Sequence, residues 1–136
     1  MEFTAIVFYD DKCQILLQIR DDKPDIRYPG LIGAFGGEVE DGETLLKSAI
    51  REVDEELGLV LVEGDLHYVT TVKILDNDDC HYYLVKFKWD INKVIQTEGA
   101  GMEFYSRDEF LKHPKIVPEL RVLDSVLWDE IDRLMN

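Results

Sequence analysis

The chain has 136 residues, of which 46% are hydrophobic and 32% charged, and its formal net charge at pH 7 is −14. We expect a single domain spanning residues 1–136, because a chain of this length can bury a core without disulfides. The negative charge excludes a large interface with polymeric DNA or RNA, which requires a basic surface. A divalent cation can still bridge an acidic site to a small phosphorylated ligand.

The sequence shows no pattern typical of a signal peptide and no run of about 18 apolar residues that would span a membrane. Its two cysteines, Cys13 and Cys80, lie in segments with strand character and are expected to be reduced thiols. We therefore expect a cytoplasmic protein without a membrane partner. Its oligomeric state, monomer or homodimer, is left open.

Clusters of β-branched and aromatic residues predict strands over 3–9, 13–20, 31–35, 67–75, 80–89 and 102–105. A turn at residues 10–12 joins the first two strands as a hairpin, and a turn at 76–79 joins the fourth and fifth. Residues 21–30, with two prolines and many charges, predict a loop, and polar residues 90–101 predict another.

The hydrophobic period becomes helical between residue 43 or 44 and residue 57. Gly58 follows where a left-handed C-cap is expected. The apolar positions that share one face of this helix are Leu46, Ala49, Ile50, Val53 and Leu57. This pattern predicts an amphipathic helix packed on a core.

The C-terminal region predicts two further helices. Ser106 and Glu109 have the spacing of a capping box, and Pro114 ends the short helix that starts there. Pro118 can open the last helix, in which the apolar positions are Leu120, Leu123, Val126, Leu127, Ile131 and Leu134. Strands interleaved with helices predict an α/β fold around a mixed β-sheet.

Three glutamates of the first predicted helix, Glu52, Glu55 and Glu56, lie at positions i, i+3 and i+4, within about one quadrant of its surface. On an arbitrary helix such a group is a solvated acidic face. Two observations favour a metal site here. The flexible pair Gly36-Gly37 can bring backbone carbonyls close to an ion, and oxygen donors without neighbouring Cys or His suit Mg²⁺ or Mn²⁺.

Residues 37–59 resemble the complete Nudix box. The fixed positions of that pattern are all filled: Gly37, then five residues, Glu43, then seven residues, and Arg51-Glu52-Val53-Asp54-Glu55-Glu56-Leu57-Gly58-Leu59. The resemblance implies a Nudix-type α/β/α sandwich around a mixed β-sheet. It also implies a hydrolase that uses divalent metals to cleave a pyrophosphate linkage in a nucleoside diphosphate joined to another group.

The resemblance also implies roles for individual residues. Glu52, Glu55 and Glu56 would hold Mg²⁺ or Mn²⁺, and the backbone carbonyl of Gly36 would be a further ligand. Glu52 and Glu55 are the catalytic candidates, and Glu52 is preferred for activating the attacking water. The positions with an implied structural role are Gly37, Glu43, Arg51 and Gly58, with an ion pair between Glu43 and Arg51.

Candidates outside the box follow from their positions. Glu103 precedes an aromatic strand-to-helix junction where some family members carry another acidic group, which makes it a candidate metal ligand; Glu98, in the preceding loop, is a second one. Arg20 ends a strand, where its guanidinium can bind phosphate or form a salt bridge. Tyr28 and Phe35 are candidates for stacking on a base, with packing in the core or a lid as the alternative.

The substrate is expected to be a small nucleotide. The motifs of members that cleave ADP-ribose, dinucleoside polyphosphates, NADH and coenzyme A are absent or incomplete, and Phe35 stands where many members have proline. We expect a nucleoside triphosphate, an oxidised one included, ahead of a nucleotide sugar. The alternative is a non-catalytic nucleotide-binding or regulatory module. The full set of glutamates favours the enzyme, because a binder has no evident need for three carboxylates.

Overall fold

The structure, a computed structural model, describes residues 1–74 and 77–136. The strands are β1 Glu2–Tyr9, β2 Gln14–Ile19, β3 Ile32–Gly33, β4 Phe35–Glu38, β5 His67–Lys73, β6 Asp79–Lys86 and β7 Gly101–Ser106. The helices are α1 Leu45–Leu57, α2 Arg107–Lys112, α3 Pro118–Arg121 and α4 Asp124–Met135, with short 3-10 turns at Glu63–Asp65 and Ile91–Lys93.

Strand β1 is the central strand of a mixed seven-stranded sheet. One edge of β1 pairs in parallel with β6 along its whole length, from Glu2 opposite Asp79 to Tyr9 opposite Lys86. The other edge pairs with β4 and, near its C-terminal end, with β2, both antiparallel. Strand β2 also pairs with β3 and β7, and β5 pairs with β6.

The sheet separates two hydrophobic clusters, because successive side chains of a strand point to opposite faces. Helix α1 covers one face, where Val53 and Leu57 join Phe8. Helix α4 covers the other face through the fully buried Leu127 and Ile131. These layers form an α/β/α sandwich and confirm the expected fold class.

Helix α1 begins and ends as its sequence predicts. Thr44 is the N-cap, and its hydroxyl accepts a hydrogen bond from the Lys47 amide at 3.1 Å. Gly58 is left-handed, with φ +68°, and its amide donates to the Asp54 carbonyl at 2.8 Å. Both ends therefore satisfy backbone groups that would otherwise lack partners.

The single strand predicted at 31–35 is wrong. Two short strands, β3 and β4, occupy this region and pair with different partners, β2 and β1. The single C-terminal helix is also wrong, because the chain breaks at Val122 and Leu123 between α3 and α4. Leu120, Leu123, Leu127 and Ile131 are buried on both sides of the break, whereas Val126, predicted on the same apolar face, is 45% exposed.

Smaller differences concern element ends. Strand β6 ends at Lys86 rather than at residue 89. Cys13 lies in the β1–β2 turn with φ +55° and is exposed, whereas Cys80 is buried in β6; both are free thiols. Residues 75 and 76, assigned above to a strand end and a turn, lie outside the described residues. Within 1–74 and 77–136, no helix has the length and apolar character needed to cross a bilayer.

Candidate active site

Two consecutive glycines bring β4 into close contact with β1 and α1. Gly36 has φ +129°, and a Cβ at this position would lie 2.0 Å from the backbone oxygen of Thr4. A Cβ on Gly37 would lie 2.6 Å from Oε1 of Glu52. The approach at Gly36 requires the absence of a side chain, because it is limited by backbone, whereas a side chain at Gly37 would displace the Glu52 carboxylate. The glycine pair therefore sets the backbone beside the acidic face of α1.

Glu56 is a buried carboxyl next to this backbone. It is 3% exposed, and its Oε2 accepts a hydrogen bond from the Gly36 amide at 3.1 Å. Burial raises the pKa of Glu56 to about 9; the Gly36 amide opposes this rise, and the Glu52 and Glu98 side chains add to it. A cation placed here would stabilise the ionised form of Glu56.

Glu52 and Glu55 lie at different depths. The Glu52 side chain is 13% exposed, and burial raises its pKa while Arg51 opposes the rise. The Glu55 side chain is 59% exposed. Both carboxylates contact Nη1 of Arg51, at 3.0 Å from Glu52 and 3.2 Å from Glu55. The structure thus brings Glu52 and Glu56 together and leaves Glu55 on the outer side of Arg51.

Arg51 ties the loop before α1 to the helix. Its Nε and Nη2 donate to the two oxygens of Glu43 at 2.7 and 2.9 Å, and Nη2 also donates to the Glu38 carbonyl at 3.1 Å. Arg51, together with the Glu40 amide, lowers the pKa of Glu43 to about 2. The ion pair expected between Glu43 and Arg51 is therefore present, and its bidentate geometry orients the loop.

Glu98 reaches the site from a distant loop. The Thr97 amide donates to the Glu56 carbonyl at 2.8 Å, and Nε2 of Gln18 donates to the Glu98 carbonyl at 3.2 Å. Gly99 follows with φ +91°, where a Cβ would meet Gln18 at 2.8 Å. These contacts hold the loop of residues 97–99 against α1 and β2. The Glu98 side chain is therefore among the groups that raise the pKa of Glu56.

Glu103 does not join this group. It lies exposed on β7 opposite Leu17, and its carboxylate accepts a hydrogen bond from the Tyr105 hydroxyl at 3.4 Å. Tyr105 belongs to the cluster on the α4 face, and strand alternation puts Glu103 on the same face. The structure therefore places Glu103 away from Glu52 and Glu56, whereas Glu98 lines the cavity with them.

A cavity of about 520 Å³ extends from these acidic groups across β4 to the other face of the sheet. Its acidic end is lined by Gly36, Gly37, Glu52, Glu56 and Glu98, and its opposite end by Phe3, Tyr28, Cys80, Tyr82, Val117 and Glu119. Arg20 also lines the wall, and its Nε donates to the Arg27 carbonyl at 2.7 Å. The cavity is large enough for a nucleotide.

Phe35 does not serve the stacking role considered for it. Its ring is 1% exposed and packs edge-on against Phe8, with 5.8 Å between ring centroids. Both rings belong to the cluster under α1. A ring enclosed in this way presents no free face to a base. Tyr28, in contrast, is partly exposed and lines the cavity.

The donor set suits a hard divalent cation. Within the described residues, no three Asp, Glu, His or Cys side chains already converge as a ligand set, and Arg51 contacts both Glu52 and Glu55. The oxygen donors available at the acidic end are nevertheless those that Mg²⁺ and Mn²⁺ prefer. The buried carboxyl of Glu56, with its raised pKa, is a group that a cation would ionise. The residues therefore fit such an ion.

Structural neighbours share this fold. A MutT NUDIX hydrolase from Burkholderia pseudomallei has a TM-score of 0.75 at 20% sequence identity, with 93% of this chain and 96% of that chain covered. The E. coli dihydroneopterin triphosphate pyrophosphohydrolase has a TM-score of 0.70 at 18% identity, with 95% of each chain covered. A MutT protein from Methanosarcina mazei Go1 has a TM-score of 0.74 at 20% identity, covering 98% of this chain and 95% of that one.

Sequence comparison identifies the family to which the chain belongs. An uncharacterized Nudix hydrolase of Yersinia pestis is 46% identical over 57 residues, which amount to 41% of this chain and 31% of that protein. The chain thus matches less than a third of the length of this curated relative. The family model of the NUDIX domain matches residues 2–125, nearly the whole chain. The chain therefore belongs to the Nudix hydrolase family.

Proposed function

We propose that this protein hydrolyses a pyrophosphate linkage in a nucleoside diphosphate joined to another group, and that the reaction depends on Mg²⁺ or Mn²⁺. The observation that carries the proposal is the pairing of the partly and fully buried carboxyls of Glu52 and Glu56 at one end of a nucleotide-sized cavity. The cation would neutralise phosphate oxygens and lower the pKa of a bound water.

We assign different roles to the glutamates according to how deeply each side chain is buried. Glu52 and Glu56 would hold the cation, with the Gly36 carbonyl and Glu98 as further donors. Glu52 lines the cavity and is accessible enough to accept a proton from the attacking water, so we assign the general-base role to it. Glu55, largely exposed, holds the outer side of Arg51 and thereby restrains the Glu52 carboxylate.

The preferred substrate is a nucleoside triphosphate, with a nucleotide sugar as the second choice. The guanidinium of Arg20 lines the cavity wall, where its planar donors suit phosphate oxygens. One structural neighbour is a pyrophosphohydrolase of a triphosphate, dihydroneopterin triphosphate, which supports the same preference.

The test is release of phosphate and pyrophosphate from a panel of nucleoside triphosphates and nucleotide sugars, with Mg²⁺ and with EDTA. We expect release with Mg²⁺ and none with EDTA. Glu52→Gln should reduce turnover by about tenfold or more at unchanged melting temperature, whereas Glu63→Gln, a change at an exposed glutamate outside the cavity, should match the wild type. Nucleotide binding without turnover on any substrate would instead identify a non-catalytic module.

A further inference from the structure

A row of hydrogen-bonded side chains crosses the surface of β5 and β6, apart from the cavity. The Tyr68 hydroxyl lies 2.7 Å from Oγ1 of Thr71, and the same Oγ1 lies 2.7 Å from Nδ1 of His81. Nε2 of His81 lies 3.0 Å from Oε1 of Glu2. The described residues that line the cavity include none of these four. The proposed hydrolysis therefore gives this row no role.

Strand pairing brings the row together. Thr71 of β5 lies opposite His81 of β6, and His81 lies opposite Thr4 of β1. Residues paired in this way share one face of the sheet. Oγ1 of Thr4 lies 3.5 Å from Oγ of Ser48 in α1, so the row begins under α1 and ends at β5, an edge strand. The His81 side chain is only 12% exposed, whereas Thr71 is open to solvent.

The carboxylate of Glu2 fixes the direction of these hydrogen bonds. An ionised carboxylate only accepts, so Nε2 of His81 must carry a proton and donate it to Glu2. In the neutral imidazole, Nδ1 then has a free lone pair and accepts from the Thr71 hydroxyl. Thr71 has one hydroxyl proton, and it is used in this bond. The Thr71 oxygen therefore accepts from the Tyr68 hydroxyl.

An acid, an imidazole and a hydroxyl in this order form the arrangement that activates a hydroxyl nucleophile. The distance of 2.7 Å between Thr71 and His81 is short enough for direct proton transfer. The Tyr68 ring packs edge-on against the buried Tyr83, with 5.7 Å between ring centroids. This contact holds the Tyr68 hydroxyl beside Thr71, where it can donate to the oxygen of an acyl group under attack.

We propose that Thr71 is a nucleophilic acylation site, with His81 as its general base and Glu2 as a positioning residue, and that its acyl donor is an uncharged activated ester or thioester. Oγ1 of Thr71 bonds to the acyl carbon while its proton passes to Nδ1 of His81. The bond from the acyl carbon to the leaving oxygen or sulfur then breaks, and the leaving group takes that proton. The products are an ester on Thr71 and an alcohol or thiol.

The surrounding charges favour an uncharged donor. Lys73 and Asp79, two positions along the same two strands, form an ion pair at 2.8 Å, which neutralises the cation on that side. Glu2 keeps its negative charge beside His81, with 54% of its side chain exposed, and the whole chain carries a net charge of −14. An anionic donor such as an acyl phosphate is repelled by this field.

The test treats the intact protein with p-nitrophenyl acetate, with the acetyl thioester of N-acetylcysteamine and with acetyl phosphate. Release of p-nitrophenol gives the rate for the aryl ester, and peptide mass spectrometry locates the acetyl group for each donor. We expect acetyl on Thr71 from the ester and the thioester and none from acetyl phosphate. Thr71→Val should abolish this adduct. The matched control Thr70→Val, on the opposite face of β5 and opposite Tyr82, should keep it.

Two further variants test the base and the positioning residue. His81→Ala should slow acetylation by about a hundredfold, and free imidazole should restore it. Nitrogen NMR of the His81 ring should show the proton on Nε2 in the wild type and on both nitrogens in Glu2→Gln, because an amide can donate as well as accept.

Three results would overturn the proposal. These are acetyl groups confined to amines in the wild type, equal p-nitrophenol release by the wild type and Thr71→Val, and no rescue of His81→Ala by imidazole. Thr71→Val should hydrolyse nucleotides at the wild-type rate, because Thr71 lies outside the cavity. The acylation site therefore stands or falls independently of the proposed hydrolysis.

Discussion

Replacing Gly37 with alanine should impair turnover and spare the fold. The added methyl carbon would lie 2.6 Å from Oε1 and 2.7 Å from Cδ of Glu52. The φ of Gly37 lies outside the left-handed region, so alanine can adopt the same backbone. Because the clash involves the far end of a flexible side chain, the Glu52 carboxylate should move while β4 stays in place.

The size of the displacement sets the expected loss. Ordinary contact with a Cβ begins at 3.4 Å, so the carboxylate must shift by about 0.8 Å. A misplacement of about 1 Å reduces a rate by on the order of a hundredfold. We therefore expect kcat to fall by about tenfold to a hundredfold, which corresponds to ~1.4 to 2.8 kcal/mol. Pyrophosphate release measures this loss, and urea unfolding should show a stability within about 1 kcal/mol of the wild type.

The neighbouring glycine is the matched comparison. At Gly36 the new carbon would lie 2.0 Å from the Thr4 backbone oxygen, and φ is +129°, a value that strains any L side chain. Neither backbone can yield, so Gly36→Ala should lower the unfolding free energy by about 3 kcal/mol or more. If Gly37→Ala retained nearly all of the wild-type kcat, the assignment of Glu52 would be refuted. If it unfolded as readily as Gly36→Ala, the expectation that the Glu52 side chain absorbs the clash would be wrong.

Further changes test the site and the core. Glu56→Gln should reduce turnover by about tenfold or more. It should not lower the free energy of unfolding in urea without metal, because the amide replaces a buried acid with a neutral group; marked destabilisation would contradict this expectation. Glu130→Gln tests a carboxyl whose pKa Arg133 and His67 lower to about 2. The stability it contributes is present above the unfolded pKa of about 4.3 and is lost as pH falls toward 2, so the difference in melting temperature between wild type and variant should shrink over that range; a constant difference would exclude this linkage. Leu127→Ala should cost about 2 to 5 kcal/mol in urea unfolding, because Leu127 is fully buried; a loss under about 1 kcal/mol would show that the site repacks.

Local signals were sufficient for α1 and its place in the site. The N-cap at Thr44, the apolar spacing and Gly58 act within the helix itself, so its ends could be predicted from neighbouring residues. The positions of the glutamates on that helix follow from its period. The close approach of Gly36 and Gly37 was also predictable in kind, because consecutive glycines indicate a place where backbone must come near another group.

The choice between Glu98 and Glu103 could not be made locally. Glu103 faces away from α1 because of its register opposite Leu17, and a change of one residue in that register would reverse the face. Glu98 reaches the site because the Thr97 amide bonds to the end of α1, a contact between residues far apart in the chain. Both outcomes depend on tertiary pairing that carries no signature in the neighbouring residues.

The breaks between β3 and β4 and between α3 and α4 escaped prediction for a related reason. The apolar residues on both sides of Val122 continue at helical spacing, so periodicity alone indicates one helix. The turn at Val122 and Leu123 interrupts the helix although Leu120, Leu123, Leu127 and Ile131 all join one cluster, so the hydrophobic pattern carries no sign of it. Likewise, β3 and β4 are distinguished only by their pairing partners.

The parallel bridge between Ile32 and Ile116 has a consequence for how this fold diversifies. It attaches the chain that carries Glu119 to an edge of the sheet, whereas the acidic groups depend on α1 and the glycine pair on the other side. Substitutions at Tyr28 or Glu119 can therefore accumulate without disturbing the packing under α1. The two ends of the cavity thus rest on separate packing layers, so the residues of one end can change while the other keeps its geometry.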